Sequence, residues 1–329
     1  MNKKNKLIGV LLLSALLLLI FCGMAFGSVP LSLKRIISAI YGHDKNAAVI
    51  LFSLRLPRVL AAILAGAGLS VAGFLLQTVT DNDLCAPNII GVNSGAGFFV
   101  MLMLCFFPMQ WRLQPFAAFA GALLATALVL TLARYGVTYG KKSTVILAGV
   151  AISSMLSAAI SFLSLKYPDV LSSYLAFSVG GFSGISLEQL AIPAVMIAVA
   201  FALSMLLAPK ISLLCLGDDA ATSCGIQVNT LRTVTVILCS ALCAAVVSFA
   251  GLLGFVGLIV PHIVRRLIKG SLRRRLPYAV LCGAILTVAS DLLGRTLLAP
   301  GELPAGIIMA FIGSPFFIWL LIRRRSFYD

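Results

Sequence analysis

The chain has 329 residues, of which 61% are hydrophobic and only 11% charged, with mean hydropathy +1.10. A soluble domain carries roughly 25% charged and about 45–50% apolar residues, so the composition excludes an ordinary soluble fold and indicates a polytopic membrane protein. The net charge of +15 does not point to nucleic acid, because the basic residues sit at the ends of apolar runs, the positive-inside pattern of membrane helices.

Met1–Lys6 is basic, and Leu7–Phe26 is an apolar run of spanning length that reads as the first helix, entering from the cytosol. Its end, Ala25-Phe26-Gly27, has a faint likeness to a signal-peptidase site. Ser28–Arg58 reads as the first external segment, with an amphipathic piece over Leu33–Tyr41. The second span, about Val59–Val79, places Ala62, Gly66 and Ser70 four apart, with Gly68 and Gly73 beside them. Small residues at that spacing let helices approach closely in lipid, so this helix is expected in the interior.

Further spans are read at about Ile89–Phe107, Pro115–Arg134, Thr144–Leu165 and Leu190–Ala208, with an external stretch over Lys166–Gln189 whose short helix ends at Gly180–Gly184. After them come about Thr233–Ala250, which turns tightly through Gly251–Gly254 into about Phe255–Ile268, and then about Leu276–Leu297 and Ala305–Ile322. Ten spans put both termini in the cytosol, together with the greater part of the 25 Lys and Arg residues, including the run Arg265–Arg275 and Arg323–Arg325.

Between the sixth and seventh spans lies Pro209–Arg232, PKISLLCLGDDAATSCGIQVNTLR. It is too polar and too interrupted to cross a bilayer. Short helices broken at Gly217 and Gly225 are expected, forming a cytosolic island that docks an ATPase which this chain lacks.

The chain has no GxxxxGK[ST] loop for nucleotide, and its Ser, His and acidic residues assemble no catalytic set. The eight cysteines contain no CxxC pair, and His43 and His262 are the only histidines. Cysteine packing between helices is the reading, with no metal centre and no cofactor. Asp291 is the one carboxylate within a clear span, and Arg295 follows four residues later on the same face. A lone charge at mid-bilayer costs at least about 2.5–3.5 kcal/mol, so a structural Asp291–Arg295 pair is expected. So few buried carboxylates argue that the driving energy comes from elsewhere. Arg55 and Arg58, beside Pro57, make a compact basic spot at the mouth of the second span. They serve either as snorkelling anchors or as a docking point for an acidic external partner. Pro261 bends the eighth span, with a proton relay at His262 as the rival reading.

Several stretches, taken in order, resemble the permease subunits of ABC importers for iron–siderophore complexes, haem and cobalamin, the FecCD-type family. They are Leu56-Pro57-Arg58, Gly66–Gln77, Asn82–Gly95, Leu147–Val150, Leu216–Gly225, Gly254–Arg265, Gly283–Arg295 and Glu302–Phe317, and they extend over about four fifths of the chain. The resemblance implies an all-α integral membrane protein of about ten transmembrane helices, with type II ABC importer permease architecture and one permease domain over residues 1–329. It also implies alternating access in the cytoplasmic membrane of a prokaryote, and no enzymatic activity of its own. The implied partners are a second permease subunit (a second copy of this chain), two cytosolic ATPases and an extracytoplasmic substrate-binding protein. Carried over by position, Arg55, Arg58 and Arg295 match arginines that face the binding protein. Leu216, Gly217, Asp218, Asp219, Ala220, Ala221, Thr222, Ser223, Cys224 and Gly225 match the coupling helices, and Ser143 and Thr144 resemble the cytosolic gate. One departure stands out: Asn82-Asp83-Leu84-Cys85 replaces the family's usual Asn-Pro-Leu-Ala, which bears on the local turn. An iron–siderophore complex is the expected cargo, with haem and cobalamin as alternatives. The rival of a different class is a self-sufficient secondary transporter or membrane-embedded enzyme, which would depend on Asp291 or His262 chemistry.

Overall fold

The computed structural model describes residues 3–27, 32–41, 43–135 and 141–325, and within them all regular structure is helical. In chain order the helices are α1 (Lys3–Ala25), α2 (Leu33–Ile40), α3 (Lys45–Ala48), α4 (Leu56–Thr80), α5 (Val92–Phe106), α6 (Gln114–Tyr135) and α7 (Lys141–Lys166). Then follow α8 (Leu171–Val179), α9 (Leu187–Leu213), α10 (Asp218–Ser223), α11 (Val228–Ala250), α12 (Val256–Leu267), α13 (Leu272–Thr296) and α14 (Ala305–Arg325).

Among the described residues, seven stretches are long and apolar enough to cross a membrane: 4–25, 45–80, 114–132, 145–166, 187–216, 228–250 and 272–296. Shorter apolar helices cover 92–106 and 305–320.

α4 forms the centre. It packs against α13, α11, α12 and α9, and 83% of its spanning window is buried. The small residues read from the sequence explain how. A Cβ on Gly66 would strike the Gly283 carbonyl of α13, and one on Gly73 would strike the Gly257 carbonyl of α12. Thr287 on α13 donates to the Ala62 carbonyl at 2.7 Å. α1, α7 and α9 are peripheral and turn leucines, valines and phenylalanines outward, among them Leu11, Phe162, Val195 and Leu206. An apolar surface of that extent belongs in lipid.

The amphipathic piece before α4 folds as α2, whose N-cap Ser32 accepts from Arg35 N. Asp44 caps α3: one carboxylate oxygen accepts from Ala47 N at 3.0 Å, and the other from Arg35 Nε at 3.0 Å. Those two bonds hold the Asp44 carboxyl below its ordinary range, the Ala47 N–H contributing most. A π-helical turn, Val49–Arg55, joins α3 to α4 without a break.

The eighth span, read as Phe255–Ile268, is the 12-residue α12, about 18 Å long against a hydrocarbon core of about 30 Å. The tight turn expected through Gly251–Gly254 is present, and its backbone is not helical. Its polar groups are met by the end of the α8 segment: Gly181 N donates to Ala250 O at 2.8 Å and Leu252 N to Phe177 O at 3.2 Å. Gly306 N in turn donates to Gly180 O at 3.1 Å. Irregular backbone beside lipid-facing helices is stable only when protein satisfies it in this way. The Lys166–Gln189 stretch therefore ends tucked among helices, with Phe177 and Phe182 buried. One boundary differs from expectation: α9 continues through Pro209 to Leu213. The island thus begins as an extension of a membrane helix, because one proline removes a single backbone bond that neighbouring groups make good.

Candidate functional site

The residues singled out in the sequence gather at the two ends of the bundle. At one end, Arg55 lies on the π turn, Arg58 on the first turn of α4 and Arg295 on the last turn of α13. Arg58 Nε donates to Asp291 at 2.9 Å, and its Nη1 to Glu302 at 2.6 Å. Arg295 Nε stands 3.1 Å from the other Asp291 oxygen, one helical turn away. Arg295 also donates to Gly23 O at 3.1 Å, while Arg55 donates to Met24 O at 2.6 Å and Ala25 O at 2.8 Å.

The compact basic spot expected at the mouth of α4 is drawn inward. Arg55, Arg58 and Arg295 are 5%, 9% and 2% exposed, and each is bonded within the chain. Two physical needs draw them inward. α1 ends with carbonyls that have no intrahelical donor and carry partial negative charge. Asp291, itself 1% exposed, requires cationic partners in a dry interior. Arg295 consequently serves Asp291 and α1 instead of reaching for the surface. Glu302 belongs to this cluster and was missed. It opens a recognisable stretch, but its pairing with Arg58 joins residues 244 positions apart, which no local pattern reveals.

At the opposite end the island folds as a compact knob. Gly217 (φ +100°) and Gly225 (φ +78°) occupy the left-handed region that favours glycine, and they bracket α10. Ala221 faces inward, whereas Leu216, Asp219, Ala220, Thr222, Ser223, Cys224 and Gly225 are exposed. Arg232 on α11 is buried and donates to Asp218 at 2.8 Å.

Beside the knob is a cavity of about 330 Å³ whose lining includes Gln77, Asp83, Ser212, Cys215, Arg265 and Arg275. Arg265 donates to Gln77 Oε1 at 2.9 Å, pairs with the Asp83 carboxylate and stacks 5.0 Å from the centre of the Phe74 ring. The unusual Asn82–Cys85 stretch forms a turn in which Asn82 accepts from Leu84 N at 3.0 Å, and Asp83 gains an ion pair that proline could not make. His262 stands edge-on to Phe316, ring centres 5.7 Å apart. Ser143 and Thr144 lie in the first turn of α7, and their side chains fall outside the described residues.

The FecCD transport family model matches residues 15–323. The chain is 34% identical over 322 residues to the Fe(3+)-citrate import system permease protein YfmE of Bacillus subtilis, with 97% of this chain and 96% of the relative covered. It is 33% identical to the hemin transport system permease protein HmuU of Yersinia pestis, with 96% of each covered. The Fe(3+) dicitrate transport system permease protein FecD of Escherichia coli is 36% identical over 287 residues, with 86% of this chain and 88% of the relative covered. Among solved structures, one described as an inward-facing conformation of a metal-chelate type ABC transporter superimposes with a TM-score of 0.83 at 29% identity, with 95% of this chain and 97% of the other covered.

Proposed function

Because the chain belongs to the FecCD transport family, we infer that it carries an iron chelate across the cytoplasmic membrane by alternating access, as one of two permease copies. It is a multi-pass membrane transporter subunit and not an enzyme, and ATP hydrolysis belongs to a separate partner. Residues 1–329 act as one permease domain with both termini in the cytosol, in keeping with the positive-inside bias.

The observation that carries the coupling reading is the α10 knob, a short helix anchored to a membrane helix through Asp218 and Arg232, with the exposed apolar Leu216 on the turn just before it. Such a knob fits a cleft on the cytosolic ATPase, and movement imposed on it travels directly into α11. A second permease copy is supported by α7, where Ser154, Ser157 and Ser161 are exposed at helical spacing between Leu147 and Leu165. A hydroxyl-lined face suits a path shared with a partner better than it suits acyl chains. Ser143 and Thr144, at the start of that helix, are assigned to the cytosolic gate.

The extracytoplasmic binding protein docks at the end that holds Arg55, Arg58 and Arg295. Of the two carboxylates on Arg58, Glu302 is the more exposed, at 29% against 2% for Asp291. An acidic side chain of the binding protein therefore reaches Arg58 by taking the place of Glu302 and leaves the Asp291 bond intact.

The cargo is read as a ferric chelate of the citrate or siderophore type, on the strength of relatives named for Fe(3+)-citrate import. The haem reading has its own support in the hemin permease relative. The test is purification of the tagged chain from its native membrane in mild detergent, followed by reconstitution with its companions. A co-purifying ABC ATPase and ATP-dependent uptake of ferric citrate, but not haem, is the expected result. A chain that purifies alone and transports without ATP would overturn the assignment.

A further inference from the structure

The strongest unassigned feature is a basic rim at the island end of the bundle, away from the α10 knob. Arg266 closes α12, Lys269 lies on the following turn, and Arg273 and Arg274 open α13. All four are exposed. Lys4 and Lys6, also exposed, are brought to the same place by α1, because Tyr278 on α13 donates to Asn5 O at 2.9 Å and packs beside Gly9. Among the described residues, no ion pair joins any of these six cations to a carboxylate. The acidic groups at this end are placed elsewhere: Asp83 on Arg265, Asp218 on Arg232, Asp81 in the cavity wall and Asp219 on the knob.

What lies immediately beside the rim fixes its level relative to the bilayer. Leu7 on α1, Leu267 on α12, and Ile318 and Ile322 on α14 are exposed apolar side chains, which a membrane helix turns to acyl chains. Between them stands Trp319, 44% exposed, with the Arg266 guanidinium 5.2 Å from its ring centre. An indole at the edge of an apolar band marks the headgroup layer. A guanidinium stacked on it is held there with its N–H edge open to an acceptor. Unpaired cations, an aromatic platform and flanking lipid-facing leucines together describe a surface for a phosphate attached to an acyl chain.

We propose that this rim, formed by Lys4, Lys6, Arg266, Lys269, Arg273 and Arg274, binds the headgroup phosphate of an anionic phospholipid. The lipid's tails lie along Leu7, Leu267 and Ile318, and its phosphate supplies the negative charge that the described residues leave out. Such a lipid bridges α1, the α12–α13 turn and the face of α14 that carries Trp319 and Ile318.

The test uses the full chain with its co-purifying partners, stripped of lipid and titrated with phosphatidylcholine micelles with or without phosphatidylglycerol. Native mass spectrometry counts retained lipid, and thermal unfolding reports stabilisation. Phosphatidylglycerol is retained and stabilises, while phosphatidylcholine does neither. Arg273→Gln and Lys269→Gln, whose side chains form no hydrogen bond or ion pair among the described residues, each weaken retention about fivefold, and the double variant compounds the loss. Removal of as much charge from the other end, Lys34→Gln with Lys45→Gln, changes nothing. Equal retention of the two lipids overturns the proposal. So does equal stabilisation by inorganic phosphate alone, which would make this a free-anion site. Variants that keep phosphatidylglycerol but shed a protein partner would make the rim a protein interface and likewise overturn it.

Discussion

Arg232 and Asp218 tie the exposed knob to the membrane: the buried guanidinium on α11 donates 2.8 Å to a carboxylate in the first turn of α10. The bond makes α10 and α11 one lever. Two other Arg232 nitrogens, Nε and Nη1, are buried without a hydrogen-bond partner among the described residues, so the Asp218 bond carries most of what satisfies that charge.

Asp218→Ala is expected to loosen the knob by about 1–3 kcal/mol, the cost of stranding a buried donor, while the membrane helices remain folded. Hydrogen exchange should rise over residues 217–225, and ATP-dependent uptake should fall more than ATPase activity does. Uptake unchanged in the variant would show that force does not pass through this pair.

Two aspartates predict opposite magnitudes. Asp291→Ala leaves Arg58 and Arg295 buried beside one another without their shared carboxylate, a loss of about 3–5 kcal/mol. Asp83→Ala removes an ion pair whose side chains are 22% and 43% exposed, and it should cost no more than about 1 kcal/mol. Thermal unfolding in detergent separates the two. Equal shifts would mean that the Asp291 cluster is far wetter than its burial indicates.

Glu302→Gln leaves Arg58 facing the surface with a neutral neighbour. If the binding protein docks through Arg58, its dissociation constant should fall several-fold, and Arg58→Glu should abolish docking altogether. Surface plasmon resonance on reconstituted permease measures both. Docking that responds to Arg58→Glu but not to Glu302→Gln would remove Glu302 from the exchange and leave the arginine in place.

Gly73→Leu should prevent folding, because the Gly257 carbonyl occupies the place of any side chain. Gly73→Ala is the milder form of the same clash and should cost about 1–3 kcal/mol through a shifted α4–α12 contact. Expression level and size-exclusion profile distinguish the two variants. A well-folded Gly73→Leu would contradict the helix approach described above.

Asp44 supplies a pH dependence. Its carboxyl titrates below the unfolded value of about 3.9, so the cap contributes fully above that value, and the contribution is lost as pH falls through the folded value. Limited proteolysis of the α2–α3 segment should increase under acid for the wild type. Asp44→Ala should show the faster cleavage at neutral pH already, with no further acid dependence.

Local chemistry made much of this legible. Gly66 and Gly73 announce a close-packed helix because only a missing side chain lets backbones touch in lipid, and the glycines at 217 and 225 mark helix ends because of the backbone angles they permit. Asp291 and Arg295, four apart, could be paired from helical geometry alone. The destination of Arg55 could not, since its acceptors are main-chain carbonyls of Met24 and Ala25, groups that every sequence possesses. The turn at Gly251–Gly254 is legible from its glycines, but how its backbone groups are satisfied is not. That outcome depends on Phe177 supplying a carbonyl from another part of the chain.

α1 buries only 11% of its spanning window, yet it is clasped at both ends to the same helix, by Tyr278 near its start and by Arg295 near its finish. A rod pinned at two points to one neighbour, with one narrow face of leucines against the core and the rest turned to lipid, travels as that neighbour's passenger. When α13 tilts during a transport cycle, α1 follows as an outrigger and exchanges the lipids on its outer face.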